Sequence, residues 1–123
     1  MEIACEEMLW LSIPSLRHAA IKELARRGAT QQDIASWFGV SQAYVSKVLS
    51  SQISNQAKRL VRIIEMKNLH SSIVSIALSG KGNDAINSEI DRIASSRRMA
   101  NALRLSGAYK KANGRRSPSI LAR

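Results

Sequence analysis

The sequence predicts an all-α protein. Apolar residues recur at helical spacing in several stretches, as at Leu16, Ala20 and Leu24, which is typical of helices with one buried face. Glycines and small polar residues stand where such helices would end and begin. No stretch alternates apolar and polar residues as a half-buried β-strand does. We therefore expect a three-helix unit, two or three further helices and a basic, disordered C-terminal tail.

The positive net charge of the chain indicates which classes of molecule it could bind. The 123 residues include 19 Lys and Arg against 9 Asp and Glu, a formal net charge of +10 at pH 7. A chain of this length suits one domain, or a small domain with an arm. Such a positive charge favours nucleic acid, an anionic membrane surface or an acidic protein as the partner.

Several classes of site are disfavoured by the residues present. Cys5 is the only cysteine, and His18 and His70 lack companions at ligand spacing, so we expect no disulfide, metal or cofactor. No run of about 18 apolar residues is available to span a bilayer. Acids at Glu2 and Glu6 are opposite in sign to the basic start of a signal peptide. These features predict a cytoplasmic protein without a membrane partner.

Residues 1–14 are predicted to form an N-terminal arm or a short helix. Pro14 should break whatever precedes it, because proline lacks the N–H that continues a helix. Trp10 is expected to pack into the core, and a dimer contact through Trp10 is the alternative.

Residues 15–52 are predicted to be the three-helix unit. The first helix runs from Ser15 to Arg27 and ends at Gly28. Thr30 can cap a second helix that begins at Gln31, and Ser41 can cap a third that runs from Gln42 to Ser50. The residues expected to hold the second and third helices together are Ile34, Ala35, Phe38, Gly39, Val40, Val45 and Val48.

This segment resembles the helix-turn-helix of bacterial and phage repressors, recombinases and partition proteins. Those proteins share a small residue in the first helix, a glycine four residues later, and apolar residues at the corner and inside the second helix. The matching positions here are Ala35, Gly39, Val40, Val45 and Val48. The resemblance covers about twenty residues closely, and about thirty-five with the preceding helix. An ordinary helical hairpin is the alternative, but the outer face of the third helix carries no acid, which favours DNA.

The resemblance implies which side chains meet DNA. In those proteins the recognition helix lies in the major groove. Gln42, Ala43, Ser46 and Lys47 would then face the bases: Gln42 an adenine, Ala43 a thymine methyl group, and Lys47 a guanine or a phosphate. The residues expected at the DNA backbone are Thr30, Gln31, Ser41, Tyr44 and Ser50, with Lys58 and Arg59 from the next helix.

Residues 53–106 are predicted to be a helical oligomerisation region. A helical stretch from Gln56 to Ser79 should bend or divide near Lys67–His70, where its apolar stripe changes phase. Asn83 or Asp84 can cap a last helix that runs to about Leu105. One helix-turn-helix reads few base pairs, so we expect these helices to build a homo-oligomer, most simply a dimer.

Residues 107–123 are predicted to be a basic flexible tail. No acid follows Asp91, and low hydrophobicity with high charge favours disorder. The tail residues expected to contact DNA are Lys110, Lys111, Arg115 and Arg116. A tail that only improves solubility is the alternative.

These features together predict a sequence-specific double-stranded DNA-binding transcriptional regulator of bacterial, phage or plasmid type, acting in the bacterial cytoplasm or nucleoid. If it activates transcription, RNA polymerase is a further partner. The alternative is a protein that initiates phage DNA packaging, of the small-terminase type, or a plasmid partition protein. We do not expect an enzyme, because the chain is too short to add a catalytic domain of usual size and lacks clustered acids.

Overall fold

The computed structural model describes the backbone of residues 2–50 and 53–107, and the side chains from Trp10 onward. Within these ranges the chain is all helical, without a strand, which confirms the predicted fold class. No helix there is long and apolar enough to cross a membrane. The helices are α1 (Glu2–Arg26), α2 (Gln31–Phe38), α3 (Gln42–Leu49), α4 (Asn55–Lys67), α5 (Ser71–Leu78), α6 (Asn83–Ala94) and α7 (Arg97–Ser106).

Helix α1 is the central element, and the other six helices pack around it. Its middle section is buried on all sides, since consecutive residues from Ser15 to Ile21 are almost all inaccessible to solvent. The predicted stripe of Leu16, Ala20, Ile21 and Leu24 is buried as expected. A helix that is enclosed in this way needs neighbours on every face, which is why its apolar positions extend beyond a single stripe.

The expected break at Pro14 is wrong. Helix α1 runs for 25 residues through Pro14, so residues 1–14 are not a separate arm or short helix. Proline removes the hydrogen bond to the carbonyl of Trp10, and both residues are exposed on the outside of the fold. Water can satisfy that carbonyl there, so the helix continues.

Trp10 is also not a core residue, contrary to the expectation. Its side chain is 80% exposed, while the adjacent Leu11 is half-buried against the core. The two residues point to different sides of α1: Leu11 lines a cleft with residues of α3 and α4, and Trp10 does not. Packing between α1 and its neighbours, which the local sequence does not reveal, decides which of the two residues is buried.

The predicted division near Lys67–His70 is confirmed. Asn68 ends α4 in the left-handed conformation, with φ of 59°. The N–H of Leu69 then donates to the carbonyl of Ile64 at 3.0 Å, so the chain turns before α5 begins.

The single last helix predicted from residue 83 to about 105 is instead two helices. Ser96 separates them: its hydroxyl accepts from the N–H of Met99 at 3.2 Å and donates to the carbonyl of Ile93 at 2.6 Å. Gly82, rather than Asn83 or Asp84, holds the N-cap position of α6. Among the described residues, four helices therefore follow α3 and not two or three, because Ser96 starts a new helix inside a continuous helical pattern of apolar residues.

Residues 53–106 share one core with the helices that precede them. Helix α4 packs on α1, and α6 packs on both α1 and α2. A single apolar cluster joins Ile34 and Val45 to Leu60, Ile86 and Met99. Most of the apolar residues that predicted an oligomerisation region are thus buried in the core of the chain itself. The predicted boundary at residue 52/53 does not separate two cores.

Helices α4 and α7 lie antiparallel and are joined at both ends by arginine. The Nε of Arg59, near the start of α4, donates to the carbonyl of Ser106 at 3.2 Å. A terminal nitrogen of Arg98, at the start of α7, donates to the carbonyl of Lys67 at 3.1 Å. Each arginine therefore donates a hydrogen bond to a carbonyl at the C-terminus of the opposite helix, where positive charge is favourable.

Both histidines are buried, His18 on α1 and His70 at the start of α5. Burial lowers the pKa of His18, Lys22 lowers it further, and Glu65 opposes the shift. Burial likewise lowers the pKa of His70, against the raising effects of Glu65 and of a backbone hydrogen bond with Ile64. Both side chains are therefore kept neutral in the folded state more strongly than in the unfolded chain.

We expect the free energy of unfolding to fall as the pH drops below the ordinary histidine pKa of 6.5. The unfolded state binds protons at His18 and His70 before the folded state does, so protonation favours unfolding. Urea denaturation between pH 7.5 and pH 5.5 measures the change. Replacing both histidines with glutamine should flatten this dependence, and an unaltered slope in that variant would assign it to other groups.

Candidate nucleic-acid interface

Helices α2 and α3 are short, and each is started by a hydroxyl side chain. The Oγ1 of Thr30 accepts from the N–H of Asp33 at 3.0 Å, and the Oγ of Ser41 accepts from the N–H of Tyr44 at 3.0 Å. Both hydroxyls are exposed and retain a proton that they can donate to a ligand oxygen. The two caps predicted from sequence are therefore present.

The connection between α2 and α3 depends on Gly39. It ends α2 with φ of 66°, and its N–H donates to the carbonyl of Ser36 at 3.3 Å. The N–H of Val40 returns to the carbonyl of Ala35 at 3.0 Å, which closes the turn. Asn83 of α6 lies directly against Gly39, so that a Cβ added there would contact the Asn83 side-chain amide.

The predicted inner positions of this pair of helices lie at the interface with the core. Ile34, Ala35, Phe38, Val45 and Val48 are buried, and Val40 is half-buried at the turn. Helix α3 packs on α1 as well as on α2. The position of α3 is thus fixed from two sides, which leaves one face of this helix toward solvent.

The four residues predicted to read bases share that outer face. Gln42, Ala43, Ser46 and Lys47 are all exposed. Three of them are short or uncharged, and Lys47 is the charged residue of α3. The acidic residue in this pair of helices, Asp33, lies in the first turn of α2 and not on this face of α3. The exposed face of α3 is therefore polar, narrow and free of negative charge.

The residues predicted to contact the DNA backbone differ in how far they are exposed to solvent. Thr30 and Ser41 are exposed at the N-terminal ends of α2 and α3, and Gln31 beside them is half-buried. Tyr44 is half-buried and packs against the core, so part of its ring is structural. Lys58 is exposed on α4 and lines a cleft of about 250 Å³ together with Arg62.

Two of the residues predicted to contact the DNA backbone form hydrogen bonds within the protein. The hydroxyl of Ser50 turns back and donates to the carbonyl of Lys47 at 2.8 Å, at the C-terminal end of α3. Arg59 donates to the end of α7, as described above. Both side chains donate to carbonyls at the C-terminal ends of helices. The acceptor of Arg59 is Ser106, which lies 47 residues further along the chain.

The tail positions Lys110, Lys111, Arg115 and Arg116 lie outside the described residues. Sequence reasoning missed two features of this region that the structure shows. One is the contact between Gly39 and Asn83, which joins distant segments and has no local signal. The other is a cleft bounded by α1, α3 and α4, beside Tyr44 and Lys47. Among the described residues, no group of three or more His, Cys, Asp and Glu side chains could hold a metal ion.

Comparison with known proteins returned no matching family model, no matching curated protein and no matching solved structure. The functional reading of this surface therefore depends on its geometry and chemistry.

We expect Gly39→Ala to destabilise the fold more than a glycine replacement without a neighbour. The left-handed backbone alone costs an L-residue about 1–2 kcal/mol, and the added Cβ would lie 3.1 Å from the Cγ of Asn83 and closer still to its amide nitrogen. Gly80→Ala is the matched control, because Gly80 has φ of 75° and nothing within 4 Å of the added Cβ. Chemical denaturation should give Gly39→Ala the larger loss.

The excess loss can be assigned by a double-mutant cycle with Asn83→Ala. If contact with Asn83 is the cause, the double variant recovers the difference between Gly39→Ala and Gly80→Ala. Equal losses at Gly39 and Gly80 would show that the close approach of α6 to the turn carries no energetic cost.

Proposed function

We propose that this chain binds double-stranded DNA sequence-specifically, with α2 and α3 as a helix-turn-helix, α3 in the major groove, and a role in transcriptional regulation of the bacterial, phage or plasmid type. The observation that carries the proposal is the exposed, acid-free face of α3. This face displays Gln42, Ala43, Ser46 and Lys47 together, on a helix held by α1 and α2.

The size and chemistry of that face suit a major groove. A groove about 12 Å wide admits one α-helix, and short side chains allow close approach to the base edges. Gln42 can form paired hydrogen bonds with adenine, and Lys47 can donate to guanine. Ala43 offers a methyl group to thymine. An ordinary solvated helix surface would mix acids with bases, and the outer face of α3 does not.

The ends of the two helices suit phosphate oxygens. Thr30 and Ser41 each have a hydroxyl proton available, and the first N–H groups of α2 and α3 have no partner within their own helices. Such groups, with the helix dipole, favour anions. Lys58 adds an exposed positive charge on α4, the helix that follows α3.

We further propose that two copies act together. One helix-turn-helix contacts too few base pairs to select a site in a genome, so a dimer on two half-sites is the simplest arrangement. The exposed Trp10 of α1 is the first candidate for the dimer contact, because most apolar side chains of residues 53–106 are buried in the chain's own core.

Selection of bound fragments from a random duplex pool tests the proposal, with the mass of the protein–DNA particle measured alongside. We expect one enriched motif with two half-sites and the mass of a dimer. Equal affinity for all duplexes, or tighter binding to single-stranded RNA, would contradict the proposal. A ring of eight or more subunits would instead favour the packaging alternative.

Deleting residues 108–123 should weaken binding to DNA in a salt-dependent way. Each phosphate contact contributes about −0.9 to the slope of log affinity against log salt, so losing the contacts of the four tail residues should reduce the magnitude of the slope by about 3 to 4. The same loss should apply to specific and nonspecific duplexes, because phosphate contacts carry no sequence information. A slope that does not change would place the tail away from DNA.

A further inference from the structure

A cleft of about 320 Å³ lies between α1, α3 and α4, next to the proposed recognition helix. Residues from one face of each helix line it, at helical spacing: Leu11 and Pro14 on α1, Tyr44 and Val48 on α3, and Ala57 and Val61 on α4. Its volume is at the lower end of the range found for small-molecule sites. Walls this apolar would bind the apolar part of a ligand.

Among the described residues that line the cleft, polar groups are few and none carries a negative charge. Lys47 stands at its mouth, and the buried His18 and Ser15 form part of the α1 wall. Burial lowers the pKa of His18, so its ring is neutral near pH 7 and accepts or donates one hydrogen bond. The Ser15 hydroxyl has no hydrogen-bond partner among the described residues. A ligand acceptor near this wall would recover the cost of that unpaired group.

We propose that this cleft binds a small amphipathic carboxylate, with its apolar body between α1, α3 and α4 and its acid group at Lys47. Charge complementarity selects an anion, because Lys47 is the charged residue among the described residues that line the cleft, and none of them is an acid. A neutral apolar molecule would fill the same walls without using Lys47, and a cation would meet Lys47 unfavourably.

The position of Lys47 couples this cleft to DNA. Lys47 lines the cleft and also belongs to the exposed face of α3, so a carboxylate bound to it neutralises the charge that α3 would present to the groove. The ligand should therefore weaken DNA binding, and DNA should weaken ligand binding by the same factor. This regulatory part of the proposal rests on the proposed function, whereas ligand binding itself does not.

Titration of the full chain with 4-phenylbutyrate, in the absence of DNA, tests the cleft directly. Amide chemical shifts should change around Tyr44, Lys47 and Ala57. The carboxylate should bind about three- to fivefold more tightly than the neutral 4-phenylbutanamide, as expected for one exposed ion pair. Lys47→Gln should remove this preference, and Lys58→Gln should keep it, because Lys58 is an exposed lysine of α4 that does not line the cleft.

A second variant fills the cleft. Ala57→Phe should lower the affinity for the probe by more than about tenfold, since a new ring would occupy the apolar walls. Ala100→Phe on the exposed side of α7 is the matched control and should bind normally. If Ala57→Phe fails to fold, as circular dichroism would show, the comparison of Lys47→Gln with Lys58→Gln still decides.

The outcomes are distinguishable. No binding of the probe, or equal affinity for acid and amide, would overturn the proposal. Binding that leaves affinity for a selected duplex unchanged would refute the regulatory coupling. Failure to bind any duplex would refute the proposed function while the carboxylate site stands.

Discussion

A chain that ends at Gln56 is expected to lose cooperative unfolding altogether. The truncation removes α4 and α6, which cover α1, and with them the buried side chains of Leu60, Ile64, Ile86 and Ile90. Burial of a large apolar side chain contributes about 1.5–3 kcal/mol, so the stabilisation lost with these four side chains alone approaches the total stability of a typical domain. The remaining segment would keep α2 and α3 without the support that positions them.

Thermal unfolding followed by circular dichroism measures this effect. The full chain should give a single sigmoidal transition, and a chain that ends at Gly107 is the control that should keep it, since all seven described helices remain. A sigmoidal transition for residues 1–56 would show that the first three helices fold alone. That result would restore the division at residue 52/53 expected from the sequence.

The second large effect is expected from replacing Gln42 and Lys47 together with alanine. Both side chains are exposed, so folding should be little affected. Each base contact contributes about 1–3 kcal/mol of discrimination, so the preference for a selected site should fall by about 2–6 kcal/mol. Affinity for unrelated duplexes should change much less, because phosphate contacts supply most of it.

Competition between selected and scrambled duplexes measures the preference. Gln56→Ala with Lys81→Ala is the control, because it removes the same two types of side chain, and the same charge, away from the outer face of α3. If the Gln42 and Lys47 variant keeps the preference of the full chain, α3 is not the recognition helix. If the control variant loses it, the reading surface includes α4 or the turn before α6.

The parts of this fold that were predictable from sequence are those set by a few adjacent residues. Thr30, Gly39 and Ser41 act on their own helix ends, and the structure places each at the predicted cap or turn. The division between α4 and α5 carries an equally local signal, the change of apolar phase near Asn68. Local chemistry of this kind was sufficient to place the outer and inner faces of α3.

The expectations that are wrong have several physical causes. Pro14 breaks a helix when its surroundings cannot satisfy the freed carbonyl, and here that carbonyl lies on an exposed side. Trp10 is exposed while the adjacent Leu11 packs against the core, and no local pattern distinguishes the two. The break at Ser96 had a local signal, a serine cap, but the apolar period on either side suggested one helix.

The candidate site was predictable only along α2 and α3. The position of Arg59 after the proposed recognition helix predicts a contact with DNA, yet its Nε donates to the carbonyl of Ser106 at the end of α7. The cleft beside Lys47 combines residues of α1, α3 and α4, so it follows from tertiary packing and not from any one segment. Packing of distant helices is what the sequence pattern leaves undetermined.

Mapping the amide chemical shifts of the full chain on binding a selected duplex tests the central claim most directly. We predict that the largest changes fall on Gln42, Ala43, Ser46 and Lys47, with a second group at the N-terminal caps Thr30 and Ser41. The exposed face of α7, which carries Arg97 and Arg104, should change little by comparison. Large changes on α7 with α3 unaffected would contradict the account, because the chain would then bind DNA through general positive charge and not through α3.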